Sequence, residues 1–438
     1  MIHPQEVPFL VLADEKGTIT DFPELKMAGM TAGSFRLPDL QDLIPLPEGS
    51  ELFALPMRLP VGCDPVTAEP LLVEDDPYNP GRTVQAVAAF MAPAHTTILS
   101  SAYRSLPDAP TLPLFAYTAV GWYDNSFWVP AFRSDRDIRQ DRNQYRQAAV
   151  IKRTKALLKS RRDNRLIQHL GKCCLTYGCP AARNYFLGRW EAPLPTSPEC
   201  NARCVGCISL QESGCCPSSQ ERITFVPTAR EISSMAIPHL QTAERAIVSF
   251  GQGCEGEPLL QANTIEQAIR MIRKATGRGT INLNSNASLP HSVARLAKAG
   301  LDSLRVSLNS VQERYYHRYY RPRGYQFADV RESIRVMKEA GKFVSLNYFV
   351  LPGVTDSEDE WDALCHFIAE LSPDFIQLRN LNMDPEWYLN TLEFKTNRPS
   401  AGIRTWFARL QTRFPELGYG YFNPCLDSSC FPSAHRER

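Results

Sequence analysis

Apolar and polar residues follow three different rhythms along this chain. Up to about residue 135 the apolar runs are short and bounded by turns, and segments 9–12, 51–55, 70–73, 114–117 and 127–129 read as strands. Asp124 and Asn125 supply the turn between the last two. From Ile138 to Leu170 the period lengthens to that of a helix, with apolar positions at Ala149, Val150, Leu157, Leu158, Leu166, Ile167 and Leu170. From about residue 192 strand and helix alternate. Strands are predicted over 246–250, 280–283, 303–308, 343–350 and 375–378, and helices over 265–274, 292–299 and 330–340, with Gly300 and Gly341 at C-cap positions. That alternation specifies a barrel-like α/β domain with a parallel sheet, whose ligands belong at the carboxyl ends of the strands.

These rhythms divide the chain into a β-rich domain (1–135), a helical linker (136–191), an α/β core (192–395) and an extension (396–438). The linker is basic, with twelve Lys or Arg against three Asp between Arg136 and Lys172. It could be a solvated helix face or a contact for phosphates. The aromatics Phe115, Tyr117, Trp122, Tyr123, Phe127 and Trp128 read first as the core of a small β domain, and second as a substrate platform.

Composition excludes some classes. The 438 residues carry a net charge of +1, which gives no global attraction to nucleic acid or membrane, and no apolar stretch is long enough to span a bilayer. Thirteen cysteines, an odd number without a secretory signal, point to thiols in a reducing, cytoplasmic setting rather than a disulfide framework.

The thiols concentrate the chemistry. Cys200, Cys204 and Cys207 fall within eight residues, beside Gly206, whose freedom would help turn them inward. Structural zinc wants four ligands, so three thiolates on one loop fit better a 4Fe–4S cubane with one iron left open. A second group, Cys173, Cys174 and Cys179, precedes them, and Cys425 and Cys430 lie near the C-terminus. Cys174 with Cys179 and Cys425 with Cys430 have matching spacing, which predicts a second, four-thiolate cluster if the fold joins the two flanks.

The spacing Cys-x3-Cys-x2-Cys resembles the signature of the radical SAM superfamily, with Gly206 where many members have an aromatic residue that packs the adenine. The resemblance implies a partial (β/α)6 TIM-like barrel, a SAM-binding 4Fe–4S cluster on Cys200, Cys204 and Cys207, and S-adenosylmethionine at the open iron. It extends over about residues 192–395. Gly256-Glu257-Pro258 resembles the family's Gly-Gly-Glu-Pro motif, with Glu255 in place of the first glycine, and implies that Glu257 holds the methionine ammonium. By the same resemblance Asn284, Ser285, Asn286, Ser307, Asn309 and Arg379, at strand ends, are cofactor-binding residues. The implied activity is reductive cleavage of S-adenosylmethionine to a 5′-deoxyadenosyl radical, with electrons from a reductant such as ferredoxin or flavodoxin. A peptide or protein is the first substrate reading, RNA or a nucleotide the second. A non-enzymatic iron-sulfur electron carrier is the rival class, although a carrier has no use for the pocket around Glu257. Tyr315, Tyr316, Tyr319 and Tyr320 either line the mouth or form a surface loop.

Overall fold

The computed structural model describes residues 4–212, 214–396 and 398–428. In its first third, Phe9–Ala13 pairs antiparallel with Ile19–Met27 and Gly121–Tyr123 at the centre of a large antiparallel sheet. Asp124 and Asn125 both adopt positive φ, +48° and +56°, and join Gly121–Tyr123 to Ser126–Arg133 in a two-residue hairpin with Trp122 opposite Phe127. The turn is where the sequence puts it, but its first strand is not 114–117. That segment is irregular: Phe115 N turns back to Pro113 O, and just ahead of it Leu112 N is taken by Asp384. Tyr117 and Trp128 are buried, and Phe115, Trp122, Tyr123 and Phe127 pack against the same cores, so these aromatics are core.

The linker forms three helices rather than one: α1 (Gln147–Ser160), α2 (Arg165–Leu175) and α3 (Pro180–Leu187). The break falls at Asn164, whose side chain accepts from Ile167 N and starts α2 as an N-cap. Lys152, Arg153, Lys155, Lys159, Arg161 and Arg162 are exposed along and just beyond α1.

The core is a parallel sheet of seven strands in chain order: Glu191–Pro193, Ile247–Phe250, Thr280–Ser285, Ser303–Leu308, Phe343–Val350, Phe375–Asn380 and the short Gly418–Gly420. It is a partial TIM-like barrel with one strand beyond the predicted six. Helices α4 (Ala229–Thr242), α5 (Ala262–Ala275), α6 (Pro290–Ala299), α7 (Glu313–Tyr320), α8 (Phe327–Glu339) and α9 (Glu358–Leu371) follow the strands, and Gly300 ends α6 in the left-handed region. Strand residues facing the helices are apolar and fully buried, among them Ile281, Leu283, Leu304, Val306, Leu346, Ile376 and Leu378. Alternate positions face the lumen and are polar: Ser249, Asn282, Asn284, Ser303, Arg305, Gln377 and Arg379.

The β-rich domain packs on the carboxyl ends of the fifth and sixth strands. Ala32 N donates to Pro352 O, Thr97 N to Asn380 Oδ1, Asn380 Nδ2 to His95 O, and Arg58 pairs with Asp384. It therefore walls one side of the barrel mouth. The extension returns beneath the barrel and inserts Asn423, which bonds Glu191, Gln377 and Asn284.

Candidate active site

The three thiols sit on the loop that leaves the first barrel strand. Backbone bonds pin the loop to the C-terminal end of α7, Arg203 N to Tyr320 O (2.9 Å) and Val205 N to Tyr319 O (3.0 Å), and Arg323 N closes on Asn201 O. Tyr315, Tyr316, Tyr319 and Tyr320 are buried beneath it, which settles the two readings of this segment against a surface loop. Gly206 has no positive φ; what matters is its size, since a Cβ there would lie 3.0 Å from Met383 Sδ and Tyr319 Oη. Burial, reinforced by Glu257, pushes the Cys200 thiol up to about 11, and burial plus the neighbouring thiols pushes Cys204 well above its ordinary value. Arg222 approaches the third thiol, with Nη2 3.4 Å from Cys207 Sγ, and is oriented by Ser209 Oγ at 3.1 Å. Thiols this buried and mutually repelling become thiolates only against a strong positive centre, which fits an iron cluster.

Glu257 joins the loop to the strand ends. Gly256 N donates to Ser197 O (2.7 Å) and Glu257 N to Glu199 O (2.8 Å), and a Cβ on Gly256 would lie 2.0 Å from Glu199 O, so only glycine permits this approach. The Glu257 carboxylate accepts from Ser285 Oγ (2.6 Å), Asn286 N (2.9 Å) and Leu259 N (3.0 Å), and Pro258 begins the short 3-10 helix it caps. Burial raises its carboxyl to about 7 against the pull of those donors. Asn286 Nδ2 bonds Asn201 beside Cys200, which in turn bonds Ser288. Glu255 is a different device: it receives Thr196 N, Ser197 N and Gln252 N, and so ties the segment before the triad to the loop after the second strand. Its carboxyl is raised to about 8 by burial.

Four buried polar atoms here lack a protein partner among the described residues: Asn284 Nδ2, Arg305 Nε, Arg379 Nε and Asn309 Oδ1. Asn309 turns its amide to Tyr315 O and Tyr388 Oη and leaves only Oδ1 free, while Ser307 stands on the fourth strand at a lumen-facing position. Arg305 and Arg379 converge on one neutral acceptor, Gln377 Oε1, at 3.1 and 3.4 Å. Burial, with Arg379 nearby, lowers Arg305 to about 9. A buried carboxylate for an ammonium, orphan donors for an anion and a thiol triad beside them are the groups a cluster-bound amino-acid sulfonium requires.

Of the predicted second cluster on Cys174, Cys179, Cys425 and Cys430, the described residues hold Cys425 apart from Cys174. Cys425 Sγ lies 3.9 Å from Ala246 O and 4.0 Å from Thr280 Oγ1, at the amino ends of the second and third strands. Cys174 is turned to Thr154 Oγ1 (3.4 Å) on α1, and its neighbour Cys173 meets Cys254 beyond the carboxyl end of the second strand. A sheet strand thus separates the two flanks, and Cys430 lies outside the described residues. Sequence reasoning also missed Glu255, Arg222, Arg305 and Asn423. Only Arg305 left a signal, the polar-apolar alternation of its strand.

Residues 194–365 match the family model of the radical SAM superfamily. This matched segment, which holds the thiol triad and Glu257, is thus a radical SAM domain, of a family that uses a 4Fe–4S cluster and S-adenosylmethionine. Over 168 residues it is 29% identical to the GTP 3',8-cyclase of Lactiplantibacillus plantarum, which covers 38% of this chain and 47% of that protein. Over 149 residues it is 27% identical to a probable dual-specificity RNA methyltransferase RlmN of Synechococcus sp., covering 33% and 42%. The match thus spans about half the length of these relatives. Among solved structures, methylornithine synthase (PylB) aligns with a TM-score of 0.38 at 14% identity, over 56% of this chain and 68% of that one. No helix among the described residues is long and apolar enough to cross a membrane.

Proposed function

We propose that this protein is an enzyme that binds a 4Fe–4S cluster through Cys200, Cys204 and Cys207, holds S-adenosylmethionine against it, and abstracts hydrogen from an anionic, nucleotide-class substrate in the barrel lumen. The observation that carries the proposal is the convergence of the buried triad with Glu257, through Glu199 O and Ser197 O. What the bound cofactors supply is one-electron cleavage of the sulfonium, from a reductant such as ferredoxin or flavodoxin, and a 5′-deoxyadenosyl radical. The chain's residues do the rest. Glu257, fixed by Ser285 and Asn286, opposes the methionine ammonium in a charge-assisted bond. Gly256 allows the close backbone approach, Pro258 starts the turn that presents Glu257, and Asn284 Nδ2, Ser307 and Asn309 Oδ1 offer bonds to the carboxylate and ribose. Tyr319 and Met383 flank Gly206, where an aromatic would otherwise stand.

The substrate class rests on Arg305 and Arg379. Neither guanidinium has a carboxylate within ion-pair distance among the described residues, so the lumen keeps two positive charges for a ligand. Arg379, assigned from the sequence to the cofactor, is here shared between cofactor and substrate anion. The names of the two relatives favour a nucleotide or RNA over a peptide. The test is anaerobic reconstitution with dithionite and S-adenosylmethionine, assayed for 5′-deoxyadenosine. Nucleoside triphosphates should stimulate its formation, the triple Cys-to-Ala variant of the triad should form none, and Arg305→Gln should lose the stimulation. Stimulation by peptides and not by nucleotides would overturn the substrate assignment.

A further inference from the structure

The loop that carries Glu257 also carries Cys254, a residue the active site does not use. Cys254 Sγ, Cys173 Sγ and a ring nitrogen of His169 all lie within 4.8 Å of one another. His169 and Cys173 are one turn apart on the same face of α2, with Nε2 3.6 Å from Sγ, and Cys173 and Cys254 are almost completely buried. Two atoms bound tetrahedrally to one zinc ion stand about 3.5–3.8 Å apart, given bond lengths of about 2.0–2.3 Å, so the 3.6 Å pair of His169 and Cys173 is at single-ion spacing and Cys254, within 4.8 Å of both, is near it. Cys179, just outside that group, offers a third thiol as a fourth ligand. Its amide donates to Cys173 O (3.0 Å), which folds the chain after α2 back over the cluster, and its sulfur is close enough to interact electrostatically with both Cys173 and Cys254.

We propose that His169, Cys173, Cys179 and Cys254 form a closed, tetrahedral binding site for one zinc-class ion that staples the helical linker to the loop bearing Glu255 and Glu257. Four protein ligands and no open position are the pattern of a structural rather than catalytic centre. Binding replaces the S–H protons of the thiols with metal–sulfur bonds and releases those protons to solvent, with no change of oxidation state. The consequence is positional: α2 packs outside the barrel, and Cys254 lies three residues before Glu257, so the ion would fix that loop from behind.

The test uses the full chain with Cys200, Cys204 and Cys207 replaced by alanine, so that no triad iron interferes. Anaerobic titration with Co2+ should give a thiolate-to-cobalt charge-transfer band that saturates at one equivalent, and zinc should displace it. His169→Ala with Cys173→Ser should abolish the band, Cys179→Ser should weaken it, and Cys174→Ser and Cys425→Ser should leave it unchanged. No band in the folded parent, a band lost with Cys425→Ser, or four irons with sulfide bound there instead, would each overturn the assignment. If the double variant fails to fold, Cys254→Ser gives the same reading from the opposite side of the site.

Discussion

Arg58 and Asp384, 326 positions apart in the chain, form an ion pair with Nη2 2.9 Å from Oδ2, and both side chains are sealed from water. The same Asp384 oxygen accepts Leu112 N, and the other caps the helix beginning at Pro385 through Glu386 N and Trp387 N. One carboxylate therefore orders the mouth of the barrel and docks the β-rich domain on it.

Removing that carboxylate leaves a buried guanidinium with only Pro56 O and Pro110 O and no counter-charge, and the buried Leu112 amide without its partner. Asp384→Ala should cost about 3–5 kcal/mol of unfolding free energy, read as a drop in the urea midpoint. Arg58→Met combined with Asp384→Leu should recover much of the loss, since replacing a whole buried pair with apolar groups is often neutral. A double variant as unstable as the single one would show that the helix cap matters more than the pair.

Arg222 bears on the cluster rather than the fold. Its Nη2 lies 3.4 Å from Cys207 Sγ, a hydrogen bond and a positive charge at one ligand sulfur. Both favour the reduced, more negative cluster. Arg222→Met should keep iron content and colour while lowering the midpoint potential in a redox titration followed by electron paramagnetic resonance. An unchanged potential would mean that the guanidinium only orders Ser209.

How much of this was legible in the sequence depends on the range of the interaction. The barrel strands and helices were readable because each is encoded locally, by apolar periodicity and by caps such as Gly300. The triad was readable because its spacing lies within one loop. The lumen residues Asn282, Asn284, Arg305 and Gln377 were readable in principle from period-two alternation, which continuous apolar runs in neighbouring segments obscured. Partnerships that cross the fold were not readable. Cys173 meets Cys254, not Cys425, because α2 packs outside the second strand, and identical Cys-x4-Cys spacing carries no information on which end of a sheet each pair reaches. Strand 114–117 failed for a similar reason, since a distant carboxylate, Asp384, claims Leu112 N just ahead of it.

The basic linker gives a prediction about RNA. Lys152, Arg153, Lys155 and Lys159 are exposed on α1 and Arg161 and Arg162 just beyond it, and Arg153 is already bonded to Leu187 O. RNA binding should be weak, and charge reversal at Arg153, Lys155, Arg161 and Arg162 should flatten whatever salt dependence exists, because fewer counterions are then released. Tight binding whose logarithm falls steeply with salt would shift the substrate from nucleotide to RNA.

Glu257 gives the most exacting test, because its environment sets both an affinity and a pH profile. Only the ionised carboxylate can oppose the ammonium of S-adenosylmethionine, and burial holds this carboxyl at about 7 in the free protein. Below pH 7 the ligand must therefore displace a proton, and affinity should fall about tenfold per pH unit well below that point. Above about pH 8 the ligand's own amino group begins to lose its charge, so tightest binding should fall between the two. Glu257→Gln should weaken binding by about 1.5–3 kcal/mol at pH 7.5 and abolish the acid limb of the profile. Stability runs with the opposite sign. A carboxyl raised above its unfolded value of 4.5 makes the native state bind more protons, so its contribution to stability is lost as pH rises from about 4.5 to 7, and Glu257→Gln should flatten that loss in the ligand-free protein. Calorimetry in two buffers of different ionisation enthalpy measures the proton released on binding at pH 6. A proton count of zero there, with unchanged affinity in the glutamine variant, would remove Glu257 from the ammonium site.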